Sequence, residues 1–305
     1  MKFSLSKYIW FDGKFVPVNM AKVPVTTHAI HYGTSIFEGI RAYWNSKNLH
    51  VFRLKDHIKR FRNSGKFYNI RLNFSDKQIE NAVIDLCKKN KIKKSCYIRP
   101  FYFVGQYGIN FHVTQKAPTH TAVFAFPFGD LFNKNGITAT ISKWRKFSDM
   151  STPTQAKMGG NYLNSILATQ DAKQKGFDEA ILLDQSGNVS EAPGENIFLV
   201  KNDELVTPPL SSSALDGITR RTIITLAKDM NLKIKVQKVS KKELKLADEI
   251  FLSGTAAEIT PIIKIDKKKI GNEEVGNITK LFMATYSDIV MNKNENYSHW
   301  LTTVY

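Results

Sequence analysis

A lysine followed closely by two glycines forms the segment best suited to carry chemistry, Lys157–Gly160. Apolar residues at helical spacing between Leu163 and Leu167 predict a helix that begins near Asn161, so Lys157 lies on the loop leading into it. A lysine held on such a loop against a packed scaffold loses contact with water, and its pKa falls. The neutral amine can then attack a carbonyl carbon, which makes Lys157 a candidate nucleophile.

Three segments of small residues have backbone N–H groups that could hold a phosphate: Gly159–Gly160, Gly217–Thr219 and Gly254–Ala256. Each adjoins a predicted helix start or strand end, and Thr219 and Thr255 add hydroxyl donors. A plain helix entry is the commoner use of a segment such as Gly217–Thr219. None of the three fits the P-loop or dinucleotide pattern, which argues against a nucleoside triphosphate or NAD.

The elements that must position these residues divide into two predicted domains. The polar, turn-rich residues 130–136 form the predicted interdomain loop. They separate a small N-terminal domain, residues 1–129, from a large domain, residues 137–305. Within the first domain, residues 28–43 are expected to form a loop, and in the second the polar tail from Asn292 is expected to be less ordered.

Local signals predict several individual elements. Asp12-Gly13 between two apolar runs is typical of a β-hairpin, and apolar spacing predicts a helix from Leu54 to about Tyr68. The pairs Ser75/Gln78 and Ser240/Glu243 each have the spacing of a capping box, which predicts two further helix starts.

Charge and composition restrict the class of protein. The chain has 305 residues, 42% of them hydrophobic, and no apolar run of the length that a membrane helix needs. Its net charge is +17, but lysines dominate in scattered runs and arginine is scarce, which disfavours nucleic-acid binding as the main role. No secretory signal is expected, and the two cysteines fit no zinc or redox motif. We therefore expect a cytoplasmic protein without a metal site.

Three further segments together resemble a known family. Val189–Phe198 resembles the signature of the fold-type IV pyridoxal-phosphate enzymes, while His31–Arg41 and Tyr97–Pro100 are similar to motifs of the branched-chain amino acid aminotransferases. The resemblance extends from about Trp10 to Pro261, with its motifs in the family's order. It implies an α+β fold of two domains: a small N-terminal α/β domain, a larger C-terminal domain with a β-barrel-like core, and a cofactor at the domain interface.

The resemblance implies that the cofactor is pyridoxal 5'-phosphate and gives roles to individual residues. Lys157 matches the catalytic Schiff-base lysine, which also carries the proton. Glu191 matches the carboxylate that faces the pyridine nitrogen and keeps it protonated. The remaining implied cofactor contacts are Arg60 at the phosphate, Tyr162 at the ring hydroxyl, Leu215 against the ring, and Ile218, Thr219 and Thr255 as phosphate donors.

The implied substrate pocket combines apolar walls, which recognise an aliphatic side chain by fit, with a few polar groups. Its residues are Tyr32, Phe37, Gly39, Tyr97, Arg99, Thr255 and Ala256. Arg99 matches the position that could bind the distal carboxylate of glutamate. The loop that carries Tyr32 reaches the neighbouring subunit in this family, which implies a homodimer or higher homo-oligomer. One departure is Leu131, where the family often has an aromatic residue, so a pocket hydroxyl is missing.

The implied reaction moves the amino group of L-leucine, L-isoleucine or L-valine to 2-oxoglutarate, in amino-acid biosynthesis or degradation. A D-amino acid aminotransferase or an aminodeoxychorismate lyase of the same fold is the alternative, which the Phe37–Arg41 and Tyr97–Pro100 matches disfavour. A basic binding module without catalysis is a third possibility, against which the set of Lys157, Arg60 and Glu191 argues. The expected partners are small molecules, not nucleic acid or a membrane.

Overall fold

A computed structural model describes residues 6–305, which divide into two compact units. The first comprises the described chain up to Gly129, together with Ala156–Gly160 and Asp288–Tyr305, and the rest forms the second. The predicted division placed both later segments in the large domain. They group instead with the first unit, because Lys157 accepts a backbone hydrogen bond from Phe37 and the C-terminal strand joins the first sheet.

Sixteen strands and seven α-helices are formed by the described residues. The strands are β1 (Tyr8–Phe11), β2 (Lys14–Pro17), β3 (Ser35–Phe37), β4 (Ile40–Trp44), β5 (Leu49–Phe52), β6 (Cys96–Val104), β7 (Thr119–Pro127), β8 (Ile137–Arg145), β9 (Glu179–Leu183), β10 (Asn196–Lys201), β11 (Glu204–Thr207), β12 (Ile234–Val236), β13 (Glu249–Gly254), β14 (Glu258–Ile265), β15 (Lys268–Lys269) and β16 (Leu301–Thr303). The helices are α1 (His28–Tyr32), α2 (Leu54–Lys66), α3 (Asp76–Lys89), α4 (Tyr162–Gln174), α5 (Ile218–Asp229), α6 (Lys241–Lys245) and α7 (Asn277–Val290).

The first unit is built on an antiparallel sheet of order β16-β5-β4-β6-β7-β1-β2, with β3 paired to β6. Its core includes Ile36, Ile40 and, from α2, Ile58 and Phe61, all fully buried. Residues 28–43, expected as a loop, instead form α1, β3 and most of β4, because Ile36, Ile40 and Ala42 are buried in this core.

The C-terminal tail was also predicted wrongly. Residues Glu295–Trp300 form a 3₁₀-helix, and β16 pairs with β5 at the edge of the first sheet. The backbone N–H of Arg53 donates to the carbonyl of Trp300 at 2.7 Å. Sheet pairing therefore orders a segment whose polar composition predicted little structure.

The second unit has a mixed sheet of order β12-β11-β10-β13-β14-β8-β9, with β15 on β14. Three of its pairings are parallel: β11 with β12, β14 with β8, and β8 with β9. Helix α4 packs against β8 and β9. It begins directly after Asn161, as predicted, and Gly176 just beyond its end has a φ of +80°, a conformation that glycine adopts without strain.

The other local predictions are confirmed. Strands β1 and β2 pair across Asp12-Gly13, and both capping boxes are present, at Ser75 with Gln78 and at Ser240 with Glu243. Within residues 6–305, no helix combines the length and apolar character that crossing a bilayer requires.

Candidate active site

In the first unit, the segment around Lys157 is fixed by its backbone. The carbonyl of Lys157 accepts from the N–H of Phe37 at 3.2 Å, and its own N–H donates to Ser64 Oγ at 3.0 Å. A Cβ on Gly159 would lie 2.3 Å from Ser35 Oγ, and the N–H of Gly160 donates to the carbonyl of Gly33. The glycines therefore allow the lysine's segment to lie directly against the loop after α1 and strand β3.

The ammonium group of Lys157 lies in positively charged surroundings. Its Nζ is 4.9 Å from the ring centre of Phe37. Burial lowers the pKa of Lys157 to about 8, with the charge of Arg60 as the next cause, while Glu38 acts in the opposite direction. A pKa of about 8 leaves about a tenth of this amine neutral at pH 7, far more than for an ordinary lysine, and the neutral form is the one that acts as a nucleophile.

Arg60 is held by a carboxylate that the sequence analysis did not select. Its Nε donates to Glu38 Oε1 at 2.6 Å and its Nη2 to Glu38 Oε2 at 2.8 Å, which is a bidentate pair. His57 Nδ1 lies 2.8 Å from the same Oε2. Burial alone raises the pKa of Glu38, but the charge and hydrogen bonds of Arg60 outweigh it and hold this pKa well below its usual range.

The predicted substrate residues of the first unit form an aromatic cluster around Arg99. The guanidinium carbon of Arg99 lies 4.5 Å from the ring centre of Phe37 and 5.2 Å from that of Tyr97, and Nη2 donates to Tyr97 Oη at 3.1 Å. A Cβ on Gly39 would lie 1.9 Å from Tyr97 Oη, so only glycine leaves room for this tyrosine. Buried Arg99 Nε has no hydrogen-bond partner in the part of the chain that the structure describes, which fits a donor aimed at a ligand carboxylate.

Tyr32 is placed differently from Phe37 and Tyr97. Its ring contacts His28, at 4.6 Å between centroids, and Phe111, at 5.1 Å. The side chain is 37% exposed. Tyr32 thus belongs to an exposed aromatic group at the end of α1.

In the second unit, Glu191 connects several of the predicted cofactor contacts. Its Oε2 accepts from the backbone N–H of Leu215 at 2.9 Å and from Asn196 Nδ2 at 3.1 Å. Its Oε1 lies 2.6 Å from Lys146 Nζ. Three donors on one carboxylate keep Glu191 in a single orientation next to Leu215.

Lys146 was missed at the sequence level. Its side chain is 16% exposed, and although burial opposes the charge, the ion pair with Glu191 raises the pKa of Lys146, with a smaller contribution from Tyr162. Lys146 thus joins two predicted cofactor residues that lie 29 positions apart in the sequence. No local pattern could have selected it from a lysine-rich chain.

The first turn of helix α5 carries two more of the predicted phosphate contacts, Ile218 and Thr219. Gly217 is its N-cap and makes no side-chain cap, and Ile218 and Thr219 are buried at the first two helical positions. A Cβ on Gly217 would lie 2.0 Å from Asn196 Oδ1. An uncapped helix start of this length, with close backbone approach, fits a phosphate group.

Thr255 and Ala256 lie in the turn between β13 and β14, where both are partly exposed. A Cβ on the preceding Gly254 would approach Glu195 Cγ to 3.0 Å, so this turn lies against the Val189–Phe198 segment. Leu131, the departure from the family pattern, is 41% exposed.

The structure therefore groups the predicted site residues within each unit. The first brings together Lys157, Phe37, Tyr97 and Arg99, with Arg60 on Glu38. The second brings Glu191 and Leu215 to the start of α5. The sequence does contain signals for Glu38, His57 and Ser64. Glu38 lies inside the family motif His31–Arg41, and His57, Arg60 and Ser64 have the i, i+3, i+7 spacing of one helix face. Each unit by itself has groups that suit pyridoxal phosphate: the first has a lysine amine of lowered pKa and an arginine, and the second has an uncapped helix start and a fixed carboxylate.

Comparison with known proteins identifies the family to which the chain belongs. The profile of the amino-transferase class IV family matches residues 35–265. The branched-chain-amino-acid aminotransferase of Salmonella typhimurium is 42% identical over 301 residues, which cover 97% of each chain.

Solved structures extend the similarity to the fold. A branched-chain aminotransferase from Thermoproteus uzoniensis with norvaline has a TM-score of 0.95 and 41% identity, covering 98% of this chain and all of its own. A branched-chain amino acid aminotransferase from Thermobaculum terrenum, solved in its PLP-form, has a TM-score of 0.93 and 33% identity, covering 99% of each chain.

Proposed function

Because this chain belongs to the class IV aminotransferases, a family of fold-type IV enzymes, we propose that it moves the amino group of L-leucine, L-isoleucine or L-valine to 2-oxoglutarate. The products are the branched-chain 2-oxo acid and L-glutamate. The observation that carries this proposal is the cluster of Lys157, Phe37, Tyr97 and Arg99. It combines an amine of lowered pKa with an aromatic wall and a buried guanidinium donor.

The cofactor of this reaction is pyridoxal 5'-phosphate, which when bound supplies an electron sink for the carbanion formed at the substrate Cα. Lys157 Nζ removes the proton from that carbon and returns a proton in the second half of the reaction. Its pKa of about 8 suits both directions, because protonated and neutral forms are populated near neutral pH.

Residues of the second unit hold the cofactor's ring and phosphate in this proposal. Glu191, fixed by Leu215 N–H, Asn196 and Lys146, presents its carboxylate to the ring nitrogen. The first turn of α5 and Thr255 donate to the phosphate, while Tyr162 donates to the ring hydroxyl. In the first unit Arg60 takes the phosphate with its fork of donors.

Two types of substrate side chain are accommodated by the same cluster. An aliphatic side chain gains free energy by burial against Phe37 and Tyr97, at about 25 cal/mol per Å² of apolar surface. The distal carboxylate of glutamate or 2-oxoglutarate takes the Nε donor of Arg99, which has no partner among residues 6–305. Thr255 and Ala256 are proposed to complete the pocket. Leu131 occupies the position at which the family often has an aromatic residue, so the pocket lacks that hydroxyl group.

The partner in solution is proposed to be a second copy of the chain. An apolar patch around α1 supports this: Val25, Ile30, Tyr32, Ile109 and Phe111 are exposed to 81%, 60%, 37%, 84% and 80%. Tyr32 contacts Phe111, and His31 Nε2 lies 2.9 Å from the carbonyl of Val25, so the patch is continuous. Exposed apolar patches of this kind mark interfaces. Replacing Phe111 by Asp should shift the sedimentation coefficient toward that of a monomer, and an unchanged coefficient would contradict the patch as the interface.

A cytoplasmic location is part of the same proposal. Cys87 and Cys96 are both buried and carry free thiols, as expected for a protein in a reducing compartment.

The test of the function is a direct assay of the purified chain with pyridoxal phosphate. We expect a visible absorbance band and amino transfer from the three branched-chain amino acids to 2-oxoglutarate. Lys157→Ala should abolish both, whereas Lys175→Ala, at an exposed position just after α4, should retain them. Transfer from D-alanine in preference to L-leucine would refute the branched-chain assignment, and wild-type rates in the Lys157→Ala variant would refute the catalytic lysine.

A further inference from the structure

Glu38 is a fully buried carboxylate just after β3. Its side chain has 0% exposure, and its backbone N–H donates to the carbonyl of Pro100 at 2.9 Å. Burying a carboxylate is costly unless it is paired and hydrogen-bonded on both oxygens. Glu38 satisfies that condition through two residues of α2, His57 and Arg60, which together occupy both of its oxygens.

The geometry concerns the orientation of Arg60. Glu38 accepts two of the five N–H donors of the guanidinium, those on the edge formed by Nε and Nη2. A guanidinium bound along one edge cannot rotate without breaking both hydrogen bonds, so its plane is fixed. Because the guanidinium is rigid and planar, the two bonds to Glu38 also fix the directions of its other N–H groups.

His57 fixes the carboxylate in turn. It lies three residues before Arg60 on the same face of α2, and its side chain is 1% exposed. Burial lowers the pKa of His57, so the ring is neutral, and because Glu38 Oε2 can only accept, the ring proton is on Nδ1. His57 thus anchors Glu38 without adding a charge.

We propose that Glu38, anchored by His57, is a positioning residue that fixes the Arg60 guanidinium in the orientation that takes the cofactor's phosphate group. This inference rests on the proposed function. In this proposal Glu38 and His57 orient Arg60 for binding of the phosphate, in addition to stabilising the unit. Glu38 also supplies negative charge close to two cationic groups, Arg60 and Lys157.

The test compares two probes that differ only in the phosphate, pyridoxal 5'-phosphate and pyridoxal, titrated into the chain stripped of cofactor. Glu38→Gln keeps the shape of the side chain but loses its charge and one of the two oxygens that accept from Arg60. We expect it to weaken pyridoxal phosphate by at least about tenfold and pyridoxal by less than about twofold, since only the former meets Arg60. His57→Phe should produce the same selectivity with a smaller loss. Asp12→Asn, which breaks another carboxylate–histidine contact of the same unit, should affect neither probe.

A double-mutant cycle with Arg60→Met separates positioning from fold damage. If Glu38 acts through Arg60, Glu38→Gln should change pyridoxal phosphate affinity by less than about twofold once Arg60 is gone. The double variant leaves neither charge of the pair buried without its partner, so it can be compared with Arg60→Met even if Glu38→Gln alone fails to fold. In that comparison, a further loss of more than about twofold would contradict a role that acts through Arg60.

Four outcomes are decisive. Equal weakening of both probes in folded Glu38→Gln, or an undiminished effect of Glu38→Gln in the Arg60→Met background, would overturn the positioning role. Wild-type affinity for pyridoxal phosphate in Glu38→Gln would do the same. A wild-type chain that binds neither probe would instead refute the proposed function itself.

Discussion

Lys146 and Glu191 form an ion pair in the second unit, with 2.6 Å between Nζ and Oε1 and side-chain exposures of 16% and 6%. The other carboxylate oxygen is held by Asn196 and by the backbone of Leu215. The carboxylate proposed to meet the cofactor's ring nitrogen therefore has a built-in cationic neighbour.

Removing that neighbour should destabilise the fold. Lys146→Met leaves the buried Glu191 charge without its ammonium partner, and we expect a loss of about 2–4 kcal/mol in the free energy of unfolding. Lys143→Met is the matched control, because Lys143 is 65% exposed and lies 3.9 Å from Asp171. Its loss should stay below about 1 kcal/mol. Urea denaturation measures both, and equal losses would contradict a buried pair at Lys146.

Capture of pyridoxal by the cofactor-free chain should follow the titration of Lys157. Because the amine reacts only when neutral, the rate should rise through pH of about 8 instead of the ordinary lysine range. Arg60→Met should move this midpoint upward, since the positive charge of Arg60 lowers the pKa of Lys157. Arg62→Met, on the same helix and paired with Asp76, is the control and should leave the midpoint in place. Pyridoxal without phosphate is the probe, so that Arg60 is not needed for binding. A rate that rises only in the ordinary lysine range would disprove the lowered pKa.

Arg99→Ala should separate the two substrate classes. Loss of the guanidinium should reduce kcat/KM for glutamate and 2-oxoglutarate by about a hundredfold or more, and for leucine by less than about tenfold. Arg99→Lys keeps the charge without the fork and should fall between these values for glutamate. Circular dichroism checks folding. Equal losses for both substrates in a folded variant would mean that Arg99 only braces β6.

Glu179 should make stability depend on pH. Burial raises the pKa of this carboxyl from 4.5 to about 7, so the folded state disfavours the charged form. A carboxyl whose pKa is raised by folding stabilises the folded state fully at a pH below its unfolded-state pKa of 4.5. This stabilisation is lost as the pH rises through the folded-state pKa of about 7. Glu179→Gln should therefore gain stability relative to the wild type between pH 4.5 and 7, by no more than about 3 kcal/mol, and show a constant difference above that range. A difference that does not vary with pH would contradict the buried, uncharged carboxyl.

Local patterns in the sequence determined the elements whose stabilising contacts lie within a few residues. The capping boxes at Ser75 and Ser240 and the hairpin at Asp12-Gly13 need only neighbours along the chain, and all three were predicted. The order of the family motifs likewise pointed to the class IV aminotransferases, because their characteristic residues form contiguous segments.

Tertiary structure decided the contacts between distant residues. Glu38 and Arg60 are 22 residues apart, and their pairing depends on how α2 packs beside β3. In α4 the apolar spacing identified a helix, yet Leu163 and Ile166 are exposed, at 64% and 51%. The buried face carries small and polar residues instead, such as Ser165, whose Oγ donates to the carbonyl of Pro193. Periodicity reveals which residues share a face, but which face is buried is set by the surface against which the helix packs.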